Sequence, residues 1–210
     1  MRFTLIYEGE LFASGNKPKP KEKWEIRRKI QPQLAELWQT HPVLSRLAYI
    51  SIPTSGGYFA VELHHKAPHE PRPPTPGNVQ LLGPINVGDS KFIPLVRDSM
   101  ATVCHLKINF LRKEEPGKLM RQDGDLDNRI KTLFDALRMP KADEMQHAGG
   151  PVEEPFHCLL EDDSLITGYE INTGYLLTGP NANKHAVHLS IDVSVKVTHV
   201  KSYNLPLLGD

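Results

Sequence analysis

The sequence predicts an α+β fold, a single domain of residues 1–210 in which helices pack on one face of a mixed β-sheet. Three observations support this prediction. The 210 residues are enough for one well-packed core and marginal for two. Segments of alternating apolar and polar residues are separated by two segments of helical periodicity. The clearest alternation, at 186–200, is typical of a strand with one covered face and one wetter face.

Each element follows from its periodicity or from the residues that break it. Alternation predicts a first strand at Arg2–Glu10, and apolar spacing predicts a helix at 22–39 that Pro32 kinks or splits. A second amphipathic helix is predicted just after Asp125. The remaining predicted strands lie at 58–63, 101–111 and 165–171.

Two stretches rich in proline or glycine interrupt this pattern. One lies near 66–88 and the other near 141–157. Repeated prolines and glycines work against regular structure, and loops of this length are uncommon unless they serve a function. Both stretches are therefore predicted to be loop insertions, and either could serve a partner.

Composition excludes several classes of protein. The 25 basic residues balance the 25 acidic ones, so any nucleic acid would have to bind a local patch. Two cysteines, Cys104 and Cys158, do not make a disulfide framework, and Cys104 is expected to be buried and inert. No apolar run approaches the ~20 residues of a membrane span, and the N-terminus is not a signal peptide. We therefore expect a soluble, cytoplasmic protein with no membrane partner.

The most informative segment is acidic and opens the second predicted helix. Asp125 lies at or just before the N-cap, Asp127 in the first turn and Lys131 one turn further on. Capping and a solvated ion-pair face would explain these residues without a ligand. The helix also has an apolar stripe that should pack on the sheet, made of Leu126, Ile130, Leu133, Phe134 and Leu137.

A second acidic cluster, Glu161-Asp162-Asp163, favours a metal site. Clustered carboxylates raise one another's pKa, so a chain keeps them together mainly where a cation binds. Oxygen ligands predict Mg²⁺ or Mn²⁺ rather than zinc. A calcium loop starting at Asp123 is excluded, because it needs glycine and glutamate where this chain has Asn128 and Phe134. With a lysine to stabilise negative charge on a phosphate, these groups suit phosphodiester hydrolysis.

The order and spacing of these residues resemble the RusA family of Holliday-junction resolvases. That family has Asp-Leu-Asp-Asn, a lysine one helical turn on, Phe-Asp-Ala-Leu, and later a double aspartate before a strand. The matching residues here are Asp125-Leu126-Asp127-Asn128, Lys131, Phe134-Asp135-Ala136-Leu137 and Asp162-Asp163. The match covers only the helix motif and the later acidic pair.

The resemblance implies a RusA-like fold and a metal-dependent endodeoxyribonuclease that acts as a homodimer on four-way DNA junctions in recombination and repair. Asp125, Asp127 and Asp163 would then bind Mg²⁺, and Asp162 would be a neighbouring or alternate ligand. Lys131 would be the catalytic lysine. The chain departs from the family in being longer, and in having a basic run before the motif that is diluted by acidic residues.

Candidate DNA contacts are the basic residues of two segments. Such residues could form a solvent-exposed helix face without a partner, or they could contact DNA phosphates. These candidates are Lys17, Lys19, Arg27, Arg28, Lys118 and Arg121.

Three histidines and two tryptophans could suggest zinc binding or base stacking, but a structural role explains them better. His64, His65 and His69 resemble zinc ligands at first, but their proline-rich surroundings favour a surface loop. Trp24 and Trp38 fit core or dimer contacts better than base stacking.

Two functions other than a nuclease remain open from the sequence. A non-catalytic, structure-specific DNA-binding protein could keep the RusA-like fold, although binding alone needs no lysine beside the ligands. An interaction protein could use the same acidic residues only as helix caps and surface charge.

Overall fold

The computed structural model describes residues 1–12, 19–45, 50–53, 62–63, 78–80, 82–113, 126–177, 183, 185–201 and 204–208. The helices in these ranges are α1 (Pro20–Thr40), α2 (Leu126–Leu137) and α3 (Ala142–Met145). The strands are β1 (Arg2–Glu10), β2 (Ile50–Pro53), β3 (Glu62–Leu63), β4 (Asn78–Gln80), β5 (Ile85–Val87), β6 (Ser90–Val96), β7 (Thr102–Arg112), β8 (Phe156–Leu160), β9 (Ile166–Tyr175) and β10 (Ala186–Val197).

A four-stranded mixed sheet in the order β1-β10-β7-β9 forms the centre of the fold. β10 pairs antiparallel with β1 and with β7, whereas β9 runs parallel to β7. The described part also contains two three-stranded sheets, β3-β2-β4 and β5-β6-β8. The predicted fold class, α+β with a mixed sheet and helices packed on it, is confirmed.

Alternation along the central strands places one face of the main sheet in the core. Along β10, Val187, Leu189, Ile191 and Val193 are buried, while the residues between them are only partly covered. The helices supply the other side of the same core, with Ile30 and Leu34 from α1 and Ile130 and Leu133 from α2. Trp24, Trp38 and Cys104 are also buried, as the sequence predicted.

The helix predicted at 22–39 extends from Pro20 to Thr40 and is not split at Pro32. Pro32 is exposed on α1, so water can donate a hydrogen bond to the Arg28 carbonyl, which the missing N–H of Pro32 leaves without its helix donor. The N-terminal boundary also fits proline chemistry, because Pro20 stands at the first helical position.

Both predicted loop insertions contain regular structure, so those predictions were partly wrong. β4 and β5 lie within 66–88 and pair with β2 and β6 respectively, partners that the local proline-rich composition does not reveal. Residues 66–77 and residue 81 of that stretch lie outside the described part. The stretch 141–157 contains α3 and the first residues of the buried strand β8.

In the part of the chain that the structure describes, no helix is both long enough and apolar enough to cross a membrane.

Candidate active site on helix α2

The N-terminal half of α2 contains both exposed and buried charged residues, and Arg129, which is 1% exposed, is the buried one. Ile130 and Leu133 are buried on its apolar face, whereas Asp127 and Lys131 are exposed. Although Asp127 and Lys131 are one turn apart, they form no ion pair with each other. Because Lys131 has no such partner among the described residues, its ammonium group is available to an anion.

The second acidic cluster lies in the turn between β8 and β9. Asp162 caps the 3₁₀ turn Asp163–Leu165, its Oδ1 accepting a hydrogen bond from Ser164 N at 3.0 Å. A hydrogen bond from the Ser164 side chain is the main cause that lowers the pKa of Asp162, followed by this backbone hydrogen bond, with smaller contributions from the charges of Arg138 and Lys141. The carboxylate therefore stays ionised at neutral pH.

The acidic turn is held against both the sheet and the motif helix. Asp98 N donates to Glu161 Oε2 at 3.0 Å, and Glu161 N donates to Val96 O at 2.9 Å. The turn Asp163–Leu165 contacts α2. The Glu161 carboxylate therefore accepts a hydrogen bond within the fold, whereas Asp162 and Asp163 are exposed beside α2.

Metal binding itself stays a prediction. Asp125, one of the three principal ligands expected, lies outside the described residues. Within the described ranges, no group of three or more His, Cys, Asp or Glu side chains is arranged to hold a metal ion. Asp127, Asp162 and Asp163 are the expected ligands that the structure does describe, and all three are exposed.

The C-terminal half of α2 belongs to a buried ion cluster, which we define as Lys23, Arg27, Asp135, Arg138 and Glu144. Asp135 Oδ2 lies 2.7 Å from Lys23 Nζ. Glu144 lies 3.2 Å from Lys23 Nζ, 2.8 Å from Arg27 Nη2 and 3.2 Å from Arg138 Nη2. The cluster joins α1, α2 and α3, so the aspartate of the Phe-Asp-Ala-Leu motif is tied to the fold.

Glu144 is the centre of this ion cluster. It is 7% exposed, and burial alone would raise its pKa, but the charges of Arg27, Arg138 and Lys23 lower the pKa to about 2. The backbone N–H of Lys141 also donates to Glu144 Oε2 at 3.2 Å. Glu144 is therefore ionised at neutral pH and paired on all sides.

Sequence reasoning missed Glu144 because it lies in a stretch interpreted as an insertion. The local signal was present, since Lys141 and Glu144 have the spacing of a helix N-cap and its third residue. That spacing predicts a short helix, but it does not identify the three cations that surround Glu144.

The structure changes the interpretation of one candidate DNA contact. Arg27 was expected to reach phosphates, yet it is 2% exposed and donates to Asp135 O, Arg138 O and Glu144 Oε2. A guanidinium engaged in this way is not available to DNA, so that prediction was wrong for the fold described here.

Two of the remaining candidates are on the surface, and three lie outside the description. Lys19 pairs with Glu22 at 3.4 Å and lies over the ring of Phe12. Arg28 is exposed and donates to Ala148 O at 2.8 Å. The candidates outside the described residues are Lys17, Lys118 and Arg121.

Comparison with protein-family models, curated proteins and solved structures finds no match to this chain.

Proposed function

We propose that this chain is a metal-dependent endodeoxyribonuclease that resolves four-way DNA junctions, as the resemblance to the RusA family implies. The main support for the proposal is that the exposed motif residues of α2 and the second acidic cluster lie at the same helix. Asp127 and Lys131 point to solvent on one side of the helix, and the turn bearing Asp162 and Asp163 contacts the same helix.

The expected ligands are all carboxylates, which suit a hard cation. Asp127, Asp162 and Asp163 are exposed carboxylates. Together with Asp125 they would supply the oxygen ligands that Mg²⁺ or Mn²⁺ prefers in proteins. When bound, the cation would neutralise phosphate charge and activate water.

Lys131 has a separate role in this proposal. Its ammonium group has no ion-pair partner among the described residues, so a phosphate would be its first strong partner. A positive charge beside the scissile phosphate stabilises the negative charge that develops in the transition state. A lysine held by Asp127 could not do this as well, which is why the absence of that pair matters.

The test uses purified protein with a labelled four-way junction and a linear duplex of the same sequence. Cleavage of the junction should require Mg²⁺ or Mn²⁺ and stop in EDTA. Lys131→Ala should lower the cleavage rate by about 100-fold or more, and Asp127→Asn should abolish cleavage. The matched control is Glu36→Gln, which alters an exposed carboxylate on α1 and should cut like the wild type.

Two results would contradict the nuclease. Binding of the junction without cleavage in either metal would favour the structure-specific DNA-binding protein. Neither binding nor cleavage would favour the interaction protein, in which Asp127 and its neighbours serve only as caps and surface charge.

A further inference from the structure

The two edge strands of the four-stranded sheet differ in whether other groups bond to their outer backbone atoms. At the β1 edge, Gln33 of α1 accepts from Ile6 N at 2.9 Å and donates to Ile6 O at 2.7 Å, and Lys29 donates to Glu8 O. At the other edge, β9 pairs with β7 on one side only. On its far side, β9 takes no backbone hydrogen bond from any described residue.

The direction of each backbone group of β9 follows from one hydrogen bond. Leu176 N donates to Arg112 O at 2.7 Å, so the N–H of residue 176 points toward β7. Both backbone groups of a strand residue point to the same edge, and successive residues alternate. The odd-numbered residues therefore present their N–H and C=O groups at the open edge, and these are Tyr169, Ile171, Thr173 and Tyr175.

We propose that this open edge of β9 pairs antiparallel with the β9 edge of a second copy, about a two-fold axis at Asn172. An axis at a residue is required, because only then does each outward-facing residue oppose another outward-facing one. Residue 172 is the middle of the span 169–175, which begins and ends at an outward-facing residue. The resulting hydrogen-bonded pairs join Tyr169 to Tyr175, and Ile171 to Thr173, of the second copy.

The sequence of β9 is suited to this self-pairing. Thr-Gly-Tyr occurs twice, at 167–169 and 173–175, so both tyrosines lie on one face. The glycines are explained within one chain, since a Cβ at Gly174 would lie 2.7 Å from Leu111 Cδ2. Tyr169 and Tyr175, each 51% exposed, are not explained in this way. Pairing would set them opposite each other as aromatic cross-strand pairs, which stabilise sheets.

Charge also favours an axis at Asn172. Glu170 is the single charged residue of β9. In the proposed register it opposes Gly174 and lies about 13 Å along the strand from its own copy. An axis at residue 170 would place the two glutamates directly opposite each other, which destabilises a sheet.

The proposed pairing would bring the second copy close to the motif helix. The ring of Tyr169 contacts the ring of Phe134 on α2 at 5.1 Å between centroids. Tyr175 of the second copy would lie next to that ring pair. The resemblance described above implies a homodimer but identifies no surface, and the pairing proposed here does not depend on nuclease activity.

The sharpest test is a disulfide across the two-fold axis. Residues 172 of the two copies form a non-hydrogen-bonded pair with Cα atoms about 4.5 Å apart, which is within disulfide range. Asn172→Cys should therefore cross-link on mild oxidation of the full chain. Glu170→Cys, on the same sheet face, is the matched control and should not. The native Cys104 and Cys158 are buried, and burial raises the pKa of each to about 12, so they should not compete.

A second test removes an intermolecular donor while leaving the β7 pairing intact. The N–H of Thr173 faces the open edge, so Thr173→Pro is compatible with an edge strand. It should weaken dimerisation at least tenfold in sedimentation experiments without DNA, while Thr173→Ala stays dimeric. A monomeric wild type at all concentrations, equal cross-linking of the two cysteine variants, or an undiminished dimer in Thr173→Pro would each overturn the proposal. None of these results depends on whether the protein cuts DNA, so each proposal can fail separately.

Discussion

Two sets of charged residues along α2 lie in opposite environments. In the N-terminal half, Asp127 and Lys131 are exposed and do not pair with each other. In the C-terminal half, Asp135 and the adjoining Arg138 are bound into the buried ion cluster with Glu144. One short motif therefore contains two exposed charges on its first turns and an aspartate, Asp135, that helps to fix the helix in place.

This difference separates residues that a resemblance alone would treat alike. Asp127 and Asp135 are both motif aspartates, but Asp135 already has Lys23 at 2.7 Å and a side chain largely out of solvent. Substitutions in the ion cluster should act on stability, and substitutions of the exposed Asp127 and Lys131 should act on activity. The following predictions are ordered by the expected change in the free energy of unfolding.

Glu144→Ala should have the largest effect. It leaves Arg27, Arg138 and Lys23 buried without their shared carboxylate, and breaking a buried pair in this way costs about 3–5 kcal/mol. Urea denaturation followed by circular dichroism measures the loss. Asp143→Ala, at the exposed neighbouring position, is the control and should change stability by less than about 0.5 kcal/mol. Equal loss in both variants would show that the ion cluster does not hold the fold.

Acid should weaken the same cluster without any mutation. The pKa of Glu144 is lowered from 4.5 to about 2, so its contribution is complete above pH 4.5 and is lost as pH falls toward 2. The change corresponds to about 3 kcal/mol. Unfolding free energies of the wild type and Glu144→Gln should therefore converge over this pH range. A constant difference between them would contradict the assignment.

Asp135→Asn should have an intermediate effect on stability. Lys23 and Arg138 lose one carboxylate but keep Glu144, so we expect a loss of about 1.5 kcal/mol. Junction cleavage measured well below the unfolding temperature should stay close to that of the wild type. Loss of cleavage with unchanged stability would instead place Asp135 in the chemistry.

Lys131→Ala should have the smallest effect on stability and the largest on cleavage. The side chain is exposed and has no ion-pair partner among the described residues, so the unfolding free energy should change by less than about 0.5 kcal/mol. Parallel measurement of denaturation and of junction cleavage tests both halves of this prediction. A destabilised variant would show that Lys131 supports the fold rather than the reaction.

The parts of the fold that could be predicted from sequence are those whose pattern is local. β1 was predicted with both of its boundaries, and β10 and α2 were located correctly, because alternation and helical spacing are visible within each segment. β4 and β5 were missed, because three-residue strands depend on partners elsewhere in the chain.

The same limit applies to the candidate site. The exposure of Asp127 and Lys131 follows from the apolar stripe of α2, which the sequence contains. The burial of Arg27 does not, because it depends on Glu144, which is remote in sequence and belongs to another helix. In the sequence of α1 alone, an exposed basic residue cannot be distinguished from one that is buried against a distant carboxylate such as Glu144.

The side-chain amide of Gln33 has a consequence for stoichiometry. By bonding both backbone groups of Ile6, it occupies the place that a neighbouring strand would take at β1. A sheet with two unpaired edges can bind a further copy at each edge and so polymerise. A sheet with one unpaired edge can form only a two-fold symmetric dimer, because pairing leaves no edge exposed. Within the four-stranded sheet, pairing through β9 would then stop at two subunits, because Gln33 of α1 blocks the β1 edge.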